Sequence, residues 1–65
     1  MMPNPGERYR ARGFEFRVDF VDKGQVYVMR WPIVAMTSES SRALRCTLEE
    51  WETQMQDAEL IPEPA

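Results

Sequence analysis

Apolar and polar residues alternate most clearly over residues 14–21, where Phe14, Phe16, Val18 and Phe20 are interleaved with Glu15, Arg17 and Asp19. A period of two places the four apolar side chains on one face of a β-strand, and that face has to be covered. Burying each is worth roughly 1.5–3 kcal/mol, so this strand anchors the core. Asp22-Lys23-Gly24 follows between two β-prone runs and predicts a hairpin turn with Gly24 at a positive φ. In the return strand, residues 25–31, Val26 and Val28 share one face while Tyr27, Met29 and Trp31 share the other. Apolar residues on both faces predict a central strand.

Upstream, Arg8, Arg10 and Arg12 alternate with Tyr9 and Ala11, which predicts a first strand carrying three guanidiniums on one face. Gly13 permits a tight link or a bulge into the next strand. Downstream, Pro32 removes a ladder donor and ends or bends the return strand, and Ile33, Val34 and Met36 supply a further short strand. The small polar run Thr37-Ser38-Glu39-Ser40-Ser41 predicts an exposed, mobile loop. Alternation resumes at residues 42–46, with Leu44 and Cys46 inward.

The period then changes. Thr47 followed by Glu50 has the capping-box spacing, and Leu48, Trp51, Met55 and Ala58 recur at three- and four-residue steps. A C-terminal amphipathic helix over about residues 48–59 is predicted, with Glu49 and Glu50 at the positive end of its dipole. A helix this short is marginal alone, so its apolar stripe has to dock. Prolines at positions 3, 5, 62 and 64, with Gly6, predict flexible tails at residues 1–6 and 61–65 around one domain at 7–60. The fold class is α+β: a small twisted antiparallel sheet or SH3-like barrel of four to five strands with one helix.

Sixty-five residues limit the core, and a net stability of about 3–5 kcal/mol is the expected scale. No apolar run approaches the roughly 20 residues of a membrane span, and the first six residues lack the pattern of a signal peptide, which predicts a cytoplasmic protein. With one cysteine, Cys46, and no histidine, neither an intramolecular disulfide nor a metal centre is expected, and Cys46 reads as a small buried hydrophobe. No cofactor is implied. Charge is divided unevenly: residues 1–45 carry +3 and residues 46–65 carry −6. The two parts of the domain therefore suit different partners.

The succession Pro5-Gly6-Glu7-Arg8-Tyr9, FEFRVDFV, the turn DKG, QVYVMRW and TLEEWETQM resembles small prophage-borne domains of unknown function with an SH3-like barrel. The likeness covers most of residues 5–56. It implies a meander of strands closed at one mouth by an acidic, aromatic-containing helix. A fold of that kind does not fix a function.

The chain lacks histidine, a Gly-rich phosphate loop and a ligand cluster, so the sequence predicts a protein that is not an enzyme. Arginine makes up seven of the eight basic residues. Arg8, Arg10 and Arg12, with Tyr9 to stack on bases, form a candidate nucleic-acid contact. A pI near 4.8 opposes that reading, which ranks second. The leading expectation is an interaction module that binds another protein, including a second copy of itself through a sheet edge. Its candidate patch is Tyr27, Arg30 and Trp31, joined by Trp51 if the helix presents it to a partner.

Overall fold

The computed structural model describes residues 3–62. Five strands form one antiparallel sheet: β1 (Arg8–Ala11), β2 (Phe14–Asp22), β3 (Gln25–Pro32), β4 (Arg42–Thr47) and β5 (Glu59–Ile61), in the spatial order β4-β3-β2-β1-β5. The helix α1 (Leu48–Gln54) links β4 to β5 and packs on one face. The sheet is twisted and stays open, so of the two architectures expected the sheet, not the closed barrel, is the one formed.

Two tight turns set the registers. Asp22 pairs with Gln25, leaving Lys23 (φ 51°) and Gly24 (φ 75°) as a two-residue loop, and Ala11 pairs with Phe14 around Arg12 (φ 52°) and Gly13 (φ 83°). Positive φ at both central residues is the type I′ geometry, whose twist matches that of the strands it joins. A Cβ at Gly24 would meet no atom within 4 Å, so the strain of a substitution there is purely in the backbone. Gly24→Ala is expected to cost about 1 kcal/mol, read as a lower urea midpoint with an unchanged slope.

β2 does not keep its phase. Val18 pairs with Val28, but Phe20 pairs with Tyr27 and Val21 with Val26, so Asp19 is an extra residue in a β-bulge. One added residue sends every later side chain to the opposite face. Val21 therefore joins the core and Phe20, expected inside, is 49% exposed on the far side.

The inner face gathers Ala11, Phe16, Val18, Val26 and Val28, and Trp51 from α1 covers them. The Trp51 ring meets Tyr9 at 5.6 Å and Phe16 at 6.3 Å, both nearly edge-on, a favoured geometry for aromatic pairs. The helix starts as its sequence predicts: Glu50 N–H donates to Thr47 Oγ1 (3.1 Å) and Thr47 N–H to Glu50 Oε1 (2.9 Å). The Thr47 backbone N–H, and after it the Thr47 hydroxyl, hold the Glu50 carboxyl below its ordinary range. Cys46 lies half-buried against the core, where burial and then the Glu50 charge push its thiol pKa up.

Three boundaries differ from expectation. The helix stops at Gln54 instead of near residue 59, where Met55 N–H donates to the Trp51 carbonyl and Arg12 donates to the Gln54 carbonyl. Residues 59–61 become β5, which satisfies the open edge of β1. Ile33–Ala35 form a 3-10 turn instead of a strand, because Pro32 already lies opposite Phe14, the first residue of β2, and no strand continues beside it. The ends also take part: Pro3 is buried, Gly6 N–H donates to the Val18 carbonyl (2.8 Å), and Val18 N–H donates to that of Glu7 (2.9 Å). Residues 3–6 and Ile61 of the expected tails thus make defined contacts with the sheet; the rest of both tails, apart from Pro62, lies outside the described residues. Loop 37–41 is tied by its own hydroxyls, Ser41 Oγ donating to the Ser38 carbonyl (2.7 Å) and Ser40 Oγ to those of Ala35 and Thr37. Among the described residues no helix is long and apolar enough to cross a membrane.

Candidate interaction face

Paired residues of an antiparallel sheet share a face, so the registers sort the candidate residues without ambiguity. Opposite the helix, the outer face carries Arg8 and Arg10 from β1, Glu15, Arg17 and Phe20 from β2, Tyr27, Met29 and Trp31 from β3, and Ala43 and Arg45 from β4.

Its centre is aromatic. Phe20 and Tyr27 stack at 4.3 Å with only 15° between their planes, and the Arg17 guanidinium lies 5.3 Å from the centroid of Trp31. Arg17 is also held by Asp19, 3.1 Å away. Beside this stripe Glu15 is 3% exposed, accepting from Arg8 Nε at 3.0 Å and from Arg10 Nε at 3.3 Å. One buried carboxylate shared by two half-exposed guanidiniums fixes both side chains against the sheet. The face is thus apolar and aromatic at its middle, with Arg8 and Arg10 sharing Glu15 and Arg17 paired with Asp19.

The sequence-predicted sites are divided by the fold. Tyr27 and Trp31 lie together on the outer face. Arg30, between them in sequence, points to the other side, where it pairs with Phe16 and stacks 4.5 Å over the ring of Phe14. Trp51 is 3% exposed in the core and meets Tyr9 and Phe16, so it is unavailable to a partner while the helix is docked. The arginine stripe also breaks: Arg8 and Arg10 share the outer face, whereas Arg12 sits in the turn and donates to the Gln54 carbonyl (2.9 Å) and Asp57 (3.0 Å). Tyr9 faces inward and its hydroxyl donates to Glu7 Oε1 (3.1 Å). Burial, then that bond and the Glu7 charge, raise the Tyr9 pKa.

Phe20, Arg17 and Met29 belong to this face and were not among the predicted site residues. The signal for Phe20 was present in the hairpin: counting back from a two-residue turn pairs Val21 with Val26 and Phe20 with Tyr27. That count disagrees with the alternation begun at Phe14, and a bulge resolves the disagreement.

Among the described residues, no group of three or more His, Cys, Asp or Glu is placed to hold a metal ion. No protein-family model, curated protein or solved structure matches the chain.

Proposed function

We propose that this chain is a non-catalytic interaction module that binds another protein through the outer face of its sheet. The observation that carries the reading is the outer-face stripe of Phe20, Tyr27, Met29 and Trp31, in which the rings of Phe20 and Tyr27 stack, Arg17 lies over Trp31, and Phe20 is half-exposed while the other three are partly buried. Aromatic and arginine side chains are the usual anchors of protein interfaces, and anchors fixed before binding lose less entropy on association. Glu15 and Asp19 offset two of the three charges of Arg8, Arg10 and Arg17, which favours a protein over a nucleic acid, whose phosphates need unneutralised cations. The resemblance to small prophage-borne domains extends the reading to a phage or host protein as that partner.

The test is affinity purification from the native host with the wild type, Trp31→Ala, Tyr27→Ala and, as a control on the opposite face, Arg30→Ala. Loss of one hot-spot side chain is expected to weaken the specific complex by about tenfold or more, with Arg30→Ala retaining it. Folded Trp31→Ala and Tyr27→Ala proteins that recover the same partner undiminished would overturn the assignment. Tight binding of a single-stranded oligonucleotide that weakens steeply with salt would transfer the face to nucleic acid. A self-complex seen by light scattering and broken by Trp31→Ala would identify the partner as a second copy.

A further inference from the structure

The two edges of the sheet differ in what they offer a further strand. β5 provides three residues before Pro62, whereas β4 runs for six with a neighbour on one side only, and Arg42–Arg45 are exposed. The ladder fixes which backbone groups of β4 face outward. Leu48 N–H donates to the Gly24 carbonyl (3.0 Å), so the pair Thr47 and Gln25 exchanges no bonds of its own. Bonded and non-bonded pairs alternate along an antiparallel ladder, so Arg42, Leu44 and Cys46 bond to β3, while Ala43, Arg45 and Thr47 turn their N–H and C=O groups to the open side. Both ends of that open stretch are closed. Thr47 N–H donates to Glu50 Oε1 (2.9 Å), which places the capping carboxylate on the edge, and Ser41 N–H donates to the Ser38 carbonyl while its own carbonyl accepts from Arg42 Nη1 (2.8 Å). Among the described residues, the N–H and C=O groups of Ala43 and Arg45 are what the edge leaves over.

We infer that β4 pairs antiparallel with β4 of a second copy about a two-fold axis at Leu44, joining two sheets into one. In this register Ala43 of each copy lies opposite Arg45 of the other, and the leftover groups satisfy one another in four hydrogen bonds. Neighbouring registers fail. An axis at Arg45 sets two guanidiniums face to face and calls on the Thr47 N–H that Glu50 holds; an axis at Ala43 opposes Arg45 to Ser41, whose backbone is bonded within its own loop. On the helix side, Leu44, 36% exposed, meets its own copy at the axis. Arg42 falls opposite Cys46 of the second copy, beside the edge carboxylate of Glu50, whose charge already reaches that thiol. Within its own chain Arg42 donates to the carbonyls of Glu39 (3.1 Å) and Ser41, with no carboxylate paired to it among the described residues. Two Arg42–Glu50 contacts across the axis are the charge complementarity that selects a second copy as the occupant. This contact uses the backbone edge and the helix side of β4, not the aromatic stripe, so it and the outer-face reading can fail separately.

The experiment is light scattering of the full chain from about 10 µM to 1 mM. Four backbone bonds and one leucine pair make a small interface, so a reversible dimer with a Kd of about 0.1 mM is expected, the mass rising from 7.7 kDa towards twice that value. Ala43→Pro removes an outward N–H and no bond to β3, so it should fold and stay monomeric. Arg42→Glu, which sets like charges beside Glu50 of the second copy, should weaken the dimer about tenfold and keeps the test open if the proline variant does not fold. Trp31→Ala should dimerise as the wild type does. The register is read by cross-linking in a Cys46→Ser background: Leu44→Cys should form an intermolecular disulfide on mild oxidation, since a non-bonded pair brings Cα atoms to about 4.5 Å, and Ala43→Cys should not. A monomer at 1 mM, a dimer indifferent to both Ala43→Pro and Arg42→Glu, a dimer lost in Trp31→Ala, or cross-linking at position 43 in place of 44 would each overturn the proposal.

Discussion

Trp51→Ala is expected to unfold the domain at room temperature or bring it to the edge of unfolding. The indole is the largest side chain in the core, is 3% exposed, and meets Tyr9, Phe16 and the valines of β2 and β3 from a helix of only two turns. Truncating a buried aromatic to alanine costs about 3–5 kcal/mol, and a domain of this size has about that much to lose. A helix of seven residues also has too little intrinsic stability to remain without its tertiary contact. Urea unfolding followed by far-ultraviolet circular dichroism checks this, with Trp51→Phe as the control that keeps an aromatic ring and loses much less. A Trp51→Ala protein that melts cooperatively near the wild-type midpoint would show that the helix is not a structural lid.

Glu15→Ala is expected to be the most damaging substitution on the outer face. It leaves Arg8 and Arg10 without their shared anion, and the register sets Arg8 directly opposite Arg17, so three guanidiniums would crowd one side of β1 and β2. Breaking a fully buried pair costs about 3–5 kcal/mol, but these arginines are 41% and 49% exposed and water recovers part of the loss. An effect of about 1–3 kcal/mol is expected, with Glu15→Gln losing roughly half as much because it keeps an acceptor. The signature is a deficit that shrinks as salt rises, since what remains is repulsion among half-exposed like charges. A salt-independent deficit would point instead to lost packing beneath Trp31. If Glu15→Ala folds but no longer holds the partner, the arginine framework positions the aromatic stripe for binding.

The split between what was legible and what was not runs through single residues. The Thr47–Glu50 box was legible because both of its bonds are local: the partners lie three residues apart and need no other element. The Lys23-Gly24 turn was visible for the same reason, as glycine at a positive φ is a property of the chain's own backbone, whereas at Gly13 a tight link and a bulge both stayed open and Arg12 read as strand. β5 was not legible, because residues 59–61 have no strong pattern and become a strand only where the edge of β1 offers unpaired backbone groups. The 3-10 turn at Ile33–Ala35 carried strand-like residues, yet Val34 is 95% exposed since no neighbouring strand reaches that far.

Read alone, the sequence leads to an α+β domain: the long β2–β3 hairpin, its central strand, the capped helix with Trp51 on its apolar stripe, and the uneven division of charge. These follow from periodicity, turn chemistry and capping, which act over a few residues. The folded sheet settled what that reading left open: whether Trp51 faces the core, where β2 changes phase, and where Arg12 lies. A single extra residue at Asp19 exchanged Phe20 for Val21, and the turn at Arg12 and Gly13 carried one arginine away from the other two. The physical reason is the two-residue period of a strand: one added residue changes nothing in local propensity and reverses the side on which everything beyond it is displayed.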